Sequence, residues 1–455
     1  MMFEKLSQSS QRDVSSQFHP FTSINDLKAE GTMMMESGSG VRVRDIHGKE
    51  YLDGMAGLWC VNLGYGRKEI SEAIARQSEK LSFFHTFNGM STDVVGECAE
   101  ALLARAPVPM SRIFFGTSGS DANETQLKII WVYNNLRGKP EKKKVIARWN
   151  AYHGSGVATA SLTGLPGMHN LFDLPKGPIL HVSAPYYYRK APDGMSEREF
   201  SRQLAKELED VIEREGAHTI AAFFAEAVMG AGGLIPPPEG YFEEIMPILK
   251  KNDILLIADE VVSGFGRLGT YWGSQTYGYE PDLITSAKGV TSGYFPMSAV
   301  FISPKVWDVL DSGADKIGVF GHGYTYSAHP VGAAAALAAL KLIDELKVVE
   351  NVADVGPYMM QGLRDRLGQH PHVGDIRGQG LMLGIELMQD RETKQILPPE
   401  NRTGRQVLKA AAQRGLITRA LGDTLVFAPP LVLTRAEADE IVDKFALAVD
   451  DVLKA

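Results

Sequence analysis

Three charged side chains stand where the surrounding sequence is apolar. Asp259 closes the run Ile254-Leu-Leu-Ile-Ala, and Glu226 closes Ala221-Ala-Phe-Phe-Ala. An unpaired buried carboxylate costs several kcal/mol, so each of these acids is either half of a structural ion pair or a functional group. Two acids ending apolar strands at one sheet edge would mark a site, because ligands bind at the carboxyl ends of parallel strands. Lys288 comes after Leu283-Ile-Thr-Ser-Ala and precedes Gly289. Most lysines are solvated surface groups. Small and apolar neighbours instead suit an amine withdrawn from water, whose pKa falls and which then serves as a nucleophile. Thr117-Ser-Gly-Ser120 opens a helical stretch. It reads either as a simple N-cap or as a loop whose free N–H groups hold a phosphate.

The elements that must position these groups alternate. Short strands are read at Arg112–Phe115, Val145–Trp149, Ala221–Val228, Ile254–Val262, Leu283–Ser286 and Ser298–Ile302. Helices are read at 69–81, at 92–105, from Gly119 towards Gly138, at 200–215 and at 331–346. Apolar strands alternating with helices predict a mostly parallel sheet covered on both faces. Val41–Asp53 reads as a hairpin, and residues 1–20 as a loose arm. Residues 374–455 read as α+β, their last helix opened by the capping box Thr434-Arg-Ala-Glu437. Proline and glycine over 164–194 suggest a long surface excursion. Gly264-Phe-Gly-Arg-Leu-Gly269 matches the dinucleotide pattern, but the residues after Gly269 show no helical stripe, which argues against a nicotinamide-dependent oxidoreductase. The zinc-protease and nucleophilic-serine motifs are absent, and no metal site is expected.

The chain has 455 residues, 44 % of them hydrophobic and 22 % charged, enough for a large core without disulfides. Its two cysteines, Cys60 and Cys98, form no Cys-x-x-Cys pair, so a reducing cytoplasmic setting is expected. A net charge of −8 argues against nucleic-acid binding; Lys142–Lys144 reads as a solvated loop. The N-terminus lacks a signal-peptide core, and no apolar run is long enough to span a bilayer.

Taken together, these segments resemble the class III (ω-type) aminotransferases of pyridoxal-phosphate (PLP) fold type I. The most specific stretch is Ile257-Ala-Asp-Glu-Val-Val-Ser-Gly-Phe-Gly-Arg, with Pro281-Asp-Leu-Ile-Thr-Ser-Ala-Lys-Gly after it. Gly57-Leu-Trp-Cys, Trp149-Asn-Ala-Tyr-His-Gly, Ala225-Glu-Ala-Val-Met-Gly and Gly323-Tyr-Thr-Tyr-Ser-Ala-His-Pro support it. The resemblance implies an α/β fold: a large domain over 61–335 with a mostly parallel seven-stranded sheet covered by helices. A smaller α+β domain would combine 1–60 with 336–455. It implies PLP as cofactor, held covalently by Lys288, which would also shuttle the substrate proton. Asp259 would pair with the pyridinium nitrogen. Tyr152 would stack on one ring face and Val261 on the other, Gly119 and Ser120 would bind the phosphate, and Glu226 would hold the polar network. Thr325 would complete the phosphate site of a neighbouring subunit, making the active unit a homodimer, with assembly into a tetramer left open.

Within the family the chain is similar to the amine:pyruvate type. Leu58, Trp59 and Phe87 match an apolar pocket for the amine side chain. Arg419 matches a mobile arginine that would clamp the carboxylate of pyruvate or alanine. The expected reaction moves an amino group from a primary amine or ω-amino acid to a pyruvate-like keto acid by a ping-pong cycle. Taurine-, β-alanine- and diamine-specific transaminases are alternatives, as are a decarboxylase or aminomutase on the same scaffold and, from a different class, a nicotinamide-dependent oxidoreductase if the glycines at 264–269 bind a dinucleotide. Ala227, Asn88 and Ser155 depart from residues common in close relatives and touch the pocket wall.

Overall fold

A computed structural model describes residues 7–175 and 177–454. Among them, strands β1 (Met35–Ser39), β2 (Arg42–Asp45) and β3 (Glu50–Asp53) come first. Next are β4 (Arg112–Gly116), β5 (Lys144–Arg148), β6 (Ile179–Val182), β7 (Ile220–Glu226), β8 (Leu255–Asp259), β9 (Leu283–Ser286) and β10 (Ser298–Ile302). Last come β11 (Val373–Gln379), β12 (Met382–Leu387), β13 (Leu416–Ile417), β14 (Arg419–Leu421) and β15 (Thr424–Phe427). The central sheet has seven strands in the order β4-β10-β9-β8-β7-β5-β6. Only β10 runs against its neighbours, so the sheet is mostly parallel, as expected. Every residue of β7, β8, β9 and β10 is buried. That is why these strands read as continuous apolar runs and not as alternating ones.

Helices cover the sheet. The one over Gly119–Leu136 starts at a capping box in which Ser118 accepts from the Asp121 N–H. The helix Glu197–Glu215 ends at Gly216, whose φ of 81° suits a residue without a Cβ. The alanine-rich helix Pro330–Glu345 buries Ala333, Ala335, Ala336 and Ala339 completely. Small side chains let it lie close against helices Lys68–Lys80 and Asp93–Leu103.

Two four-stranded sheets flank this body: β1-β2-β3-β13 and β11-β12-β15-β14. β2 and β3 form the expected hairpin. β13 pairs parallel to β3, Leu416 opposite Leu52, so the two ends of the chain share one sheet. β14, one residue further along the chain, opens with Arg419.

Three local expectations need correction. The stretch 164–194 is not only a surface excursion: it contains β6, the outer strand of the central sheet, paired with β5. β8 stops at Asp259 and does not run to Val262, because the chain turns there into the loop 260–272. Lys142 is not solvated. It is 3 % exposed, its Nζ donating to the carbonyls of Ala217 (3.1 Å) and Asn252 (3.2 Å), and burial lowers its pKa to about 8. The segment Gly264–Gly269 buries Phe265 and Arg267 and leads only to the single turn Gly273–Thr276. That is not the long helix a dinucleotide loop requires. No helix among the described residues is long and apolar enough to cross a membrane.

Candidate active site

The register of the central sheet sets the site. β7 and β8 pair so that Glu226 lies opposite Asp259, and Asp259 in turn lies opposite Thr285 of β9. Three strand ends thus deliver two carboxylates and, three residues past Thr285, Lys288 to one edge. A cavity of about 690 Å³ opens there. Lys288, Asp259, Tyr152, Glu226, Gly119, Ser120, Val261, Leu58, Trp59 and Arg419 all line it.

Asp259 is held by a cradle of neighbours. Its Oδ2 accepts from Asn123 Nδ2 and lies against His153 Nδ1, each at 2.8 Å, and its Oδ1 accepts from the Val261 N–H at 3.2 Å. Thr285 Oγ1 donates to Asn123 Oδ1 at 2.8 Å and so fixes the amide with its NH₂ towards the carboxylate. The Asp259 side chain is 4 % exposed and His153 fully buried. The carboxylate can turn neither towards water nor away from the cavity. His153, Asn123 and Thr285 were not among the residues singled out from the sequence. Asn123 lies one helical turn after Gly119, on the same face, and His153 comes directly after Tyr152; both signals were legible.

Glu226 accepts from the backbone N–H groups of Tyr152 (3.0 Å) and Gly230 (2.8 Å). Burial raises its pKa, with His153 and these N–H groups opposing. Its role in the geometry is to fasten the loop that carries Tyr152 to the end of β7. Lys288 begins a short 3₁₀ turn with a left-handed φ of 42°. Such a conformation costs a non-glycine residue about 1–3 kcal/mol and gathers at functional sites. Burial lowers the Lys288 pKa from its ordinary 10.5; Asp259 and Glu226 oppose the shift, and Arg419 adds to it.

At the other end of the cavity, the first turn of helix Gly119–Leu136 offers the N–H groups of Gly119 and Ser120, which have no partner inside a helix. A Cβ on Gly119 would sit 2.9 Å from Val261 Cγ2, so only glycine lets Val261 close on this helix end. Ser120 Oγ accepts from the Ser155 N–H at 3.1 Å, and the Tyr152 hydroxyl lies 3.0 Å from Ser155 Oγ.

The wall opposite is apolar. Trp59 is buried at a φ of 61°, beside Gly57 at 68°, and Leu58 projects outward at 54 % exposure. Lys288 Nζ and Arg419 Cζ both face the Trp59 ring, at 6.0 and 5.7 Å from its centre. Arg419 forms no ion pair among the described residues, and burial lowers its pKa. Pro20 and Phe21 also line the cavity; no periodicity in the polar N-terminal stretch marks them. Thr325 and Phe87 are not brought to this cavity. Both are exposed, and Phe87 lies against Gly323, where a Cβ would be 3.3 Å from its Cζ.

A carboxylate fixed at a strand end, a lysine of lowered pKa, an aromatic ring beside it and a helix N-terminus with free N–H groups fit a phosphorylated pyridine aldehyde. The class III aminotransferase model matches residues 25–449, and the chain belongs to that PLP-dependent family. Among its relatives is a diaminobutyrate–2-oxoglutarate transaminase of Halomonas elongata, 47 % identical, with 98 % of this chain and 96 % of that protein aligned. An uncharacterized aminotransferase, y4uB, of Sinorhizobium fredii is 49 % identical over the same shares. The fold matches a solved ω-transaminase of Pseudomonas jessenii in complex with PMP, at a TM-score of 0.96, 45 % identity and 98 % coverage of both chains.

Proposed function

We propose that this aminotransferase moves an amino group from a primary amine or ω-amino acid to a pyruvate-like keto acid, leaving a ketone or aldehyde and alanine, in two half-reactions that share one cavity. The observation that carries this is Arg419: a guanidinium without an acidic partner, set against the Trp59 ring in an otherwise apolar wall. An apolar wall accepts an amine's side chain, and an unpaired guanidinium accepts a carboxylate through two parallel hydrogen bonds. Among the described residues that line the cavity, Arg419 and Lys288 are the only Arg or Lys. One carboxylate clamp favours a monocarboxylic acceptor over 2-oxoglutarate.

The bound cofactor supplies an electrophilic carbon for the amine nitrogen and a ring that takes up the electrons of the broken C–H bond. Lys288 would hold it and then carry the proton from the substrate carbon on Nζ; burial lowers the pKa of that nitrogen relative to a solvated lysine, which favours its basic form. Asp259, unable to rotate away from its cradle, would present its carboxylate to the ring nitrogen. Tyr152 and Val261, which line the cavity, would hold the ring between them, and Gly119 and Ser120 would bind the phosphate. Glu226 positions Tyr152 through its backbone. Leu58 and Trp59 receive the amine's side chain. Thr325 and Phe87, exposed and outside their own cavity, serve the site of a second copy, so the working unit is a homodimer. Residues 61–335 form the cofactor-binding domain. Residues 1–60 and 336–455 form the smaller domain, a division supported by the β3–β13 pairing. Two free cysteines fit a cytoplasmic enzyme.

The test is the visible spectrum of the holoenzyme. Benzylamine, which has no carboxylate, should bleach the protein-bound cofactor's yellow band, and pyruvate should restore it. A band that ignores benzylamine and responds only to α-amino acids refutes the amine-donor reading. Restoration by 2-oxoglutarate alone refutes the pyruvate acceptor.

A further inference from the structure

The arm before β1 is held to the body by charge, not by burial. Helices Gln8–Ser16 and Ile24–Glu30 are joined by a turn, and the Thr32 N–H returns to Ser10 Oγ at 2.9 Å. From residue 7 to residue 34 only Ser10 is buried, while Phe18, Phe21, Ile24 and Met33 are exposed. Among the described residues the arm therefore buries no apolar side chain that could anchor it.

What replaces it is a five-charge network. Asp26 and Glu30 lie one turn apart on the second arm helix and face Arg402 and helix Thr403–Gln413. Arg402 grips Asp26 with both nitrogens, at 3.0 and 2.5 Å. Arg405 bonds Asp26 as well and reaches Glu30 at 2.8 Å, and Lys409 meets Glu30 at 2.8 Å. Isolated surface pairs contribute little, but a bidentate, shared network of this kind can hold a segment in place.

The turn between the two arm helices carries Phe21, at a φ of 50°. It lines the active-site cavity with Pro20, and its ring lies edge-on to Tyr152, 6.4 Å between centres. Phe21 also lines a second cavity of about 750 Å³, between the arm and residues 386–424, whose wall includes Asp26, Arg402 and Arg405. Phe21 is therefore a partition with open space on both sides. Its turn is tied within the arm by the His19–Asp13 pair at 2.8 Å and by Thr22 Oγ1 donating to the Pro20 carbonyl at 2.9 Å, and what joins the arm to the body next to it is the charge network that begins five residues later.

We infer that Asp26 is a positioning residue. Its pairing with Arg402 and Arg405 holds Phe21 as a movable wall of the donor side of the cavity, so recognition of aromatic amines depends on this ionic latch and weakens as salt screens it. The inference rests on the amine-donor reading above. A keto acid clamped by Arg419 is too small to need the Phe21 wall and does not sense the latch.

The test compares holoenzyme of the wild type, Asp26→Asn, Asp26→Glu, Phe21→Ala and the Asp26→Asn/Phe21→Ala double variant. The readouts are KM for benzylamine, KM for pyruvate, Tm, and the rate of tryptic cleavage after the exposed Arg12 and Lys28. Asp26→Asn is expected to raise the benzylamine KM about fivefold, with pyruvate KM within about twofold and Tm unchanged. Asp26→Glu restores the wild-type value, and the double variant matches Phe21→Ala alone. Raising ionic strength moves the wild type towards Asp26→Asn and moves that variant less, because only the Glu30 pairs with Arg405 and Lys409 are left to screen. Cleavage of the arm quickens in parallel. An unchanged benzylamine KM, equal rises for both substrates, or additive effects of the two substitutions overturn the inference. If benzylamine is no donor at all, the amine-donor reading fails, and proteolysis decides the latch by itself: equal cleavage rates in wild type and Asp26→Asn overturn it.

Discussion

Replacing Arg419 by leucine separates the two half-reactions. Leucine keeps an apolar side chain at the position and removes the guanidinium. Two charge-assisted hydrogen bonds to a carboxylate, at about 1.5–3 kcal/mol each net of solvent, place the loss at roughly 3–6 kcal/mol. At 1.36 kcal/mol per decade this lowers kcat/KM for pyruvate by about 10²–10⁴-fold. The amine half-reaction loses only what the guanidinium contributes through the Trp59 ring, 5.7 Å away. That is about 0.5–1 kcal/mol, or less than about fivefold. Stability should not fall, because burial already disfavours the charge at Arg419 and it has no acidic partner to lose. Single-turnover reactions of the holoenzyme with benzylamine and with pyruvate, each monitored at the cofactor band, give the two numbers directly. Arg419→Lys, which keeps the charge and loses the fork, should fall between. Equal losses in both half-reactions, or a loss below about tenfold with pyruvate, would refute the assignment of Arg419 as the carboxylate clamp.

The same geometry sets three further outcomes. Asp259→Asn removes the charge while leaving a side chain of the same shape in its cradle of Asn123 and His153. Steady-state kinetics should show kcat lower by about 10²–10³-fold, and a change under tenfold would deny Asp259 its role at the ring nitrogen. Burial lowers the Lys288 pKa from 10.5, so its charged form costs the apo-protein stability below the folded pKa, and this cost disappears as pH rises towards 10.5. Urea melts of apo-protein should therefore find Lys288→Met more stable than wild type at neutral pH, with the gap closing as pH climbs; a gap independent of pH counts against the shift. Thr325→Asp would set a carboxylate against a partner's phosphate, and Lys288→Ala removes the base. Each homodimer should be inactive, yet mixing the two should regain activity, since one site per hybrid is intact; no recovery would rule out a shared site.

Much of the site was legible in the residues. Asp259 and Glu226 betrayed themselves as acids closing apolar runs, and Lys288 by its small neighbours. Thr117–Ser120 showed itself as the opening of a helix, and the Thr434 capping box is present as read. Each of these rests on local pattern, which the backbone obeys whatever lies across from it. Tertiary structure alone decided that Glu226 and Asp259 share a register position, and that Asn123 and His153, 136 and 106 positions from Asp259, meet on one carboxylate oxygen. It also turned Lys142 inward onto two carbonyls, added β6 to the sheet, and laid Phe21 at the cavity mouth. Residues that share a strand end are fixed by periodicity and capping within one element. Residues that share a carboxylate, a carbonyl or a cavity wall are fixed by strand order and by the path of loops. Those depend on how all the elements pack at once, and no window of sequence contains that information.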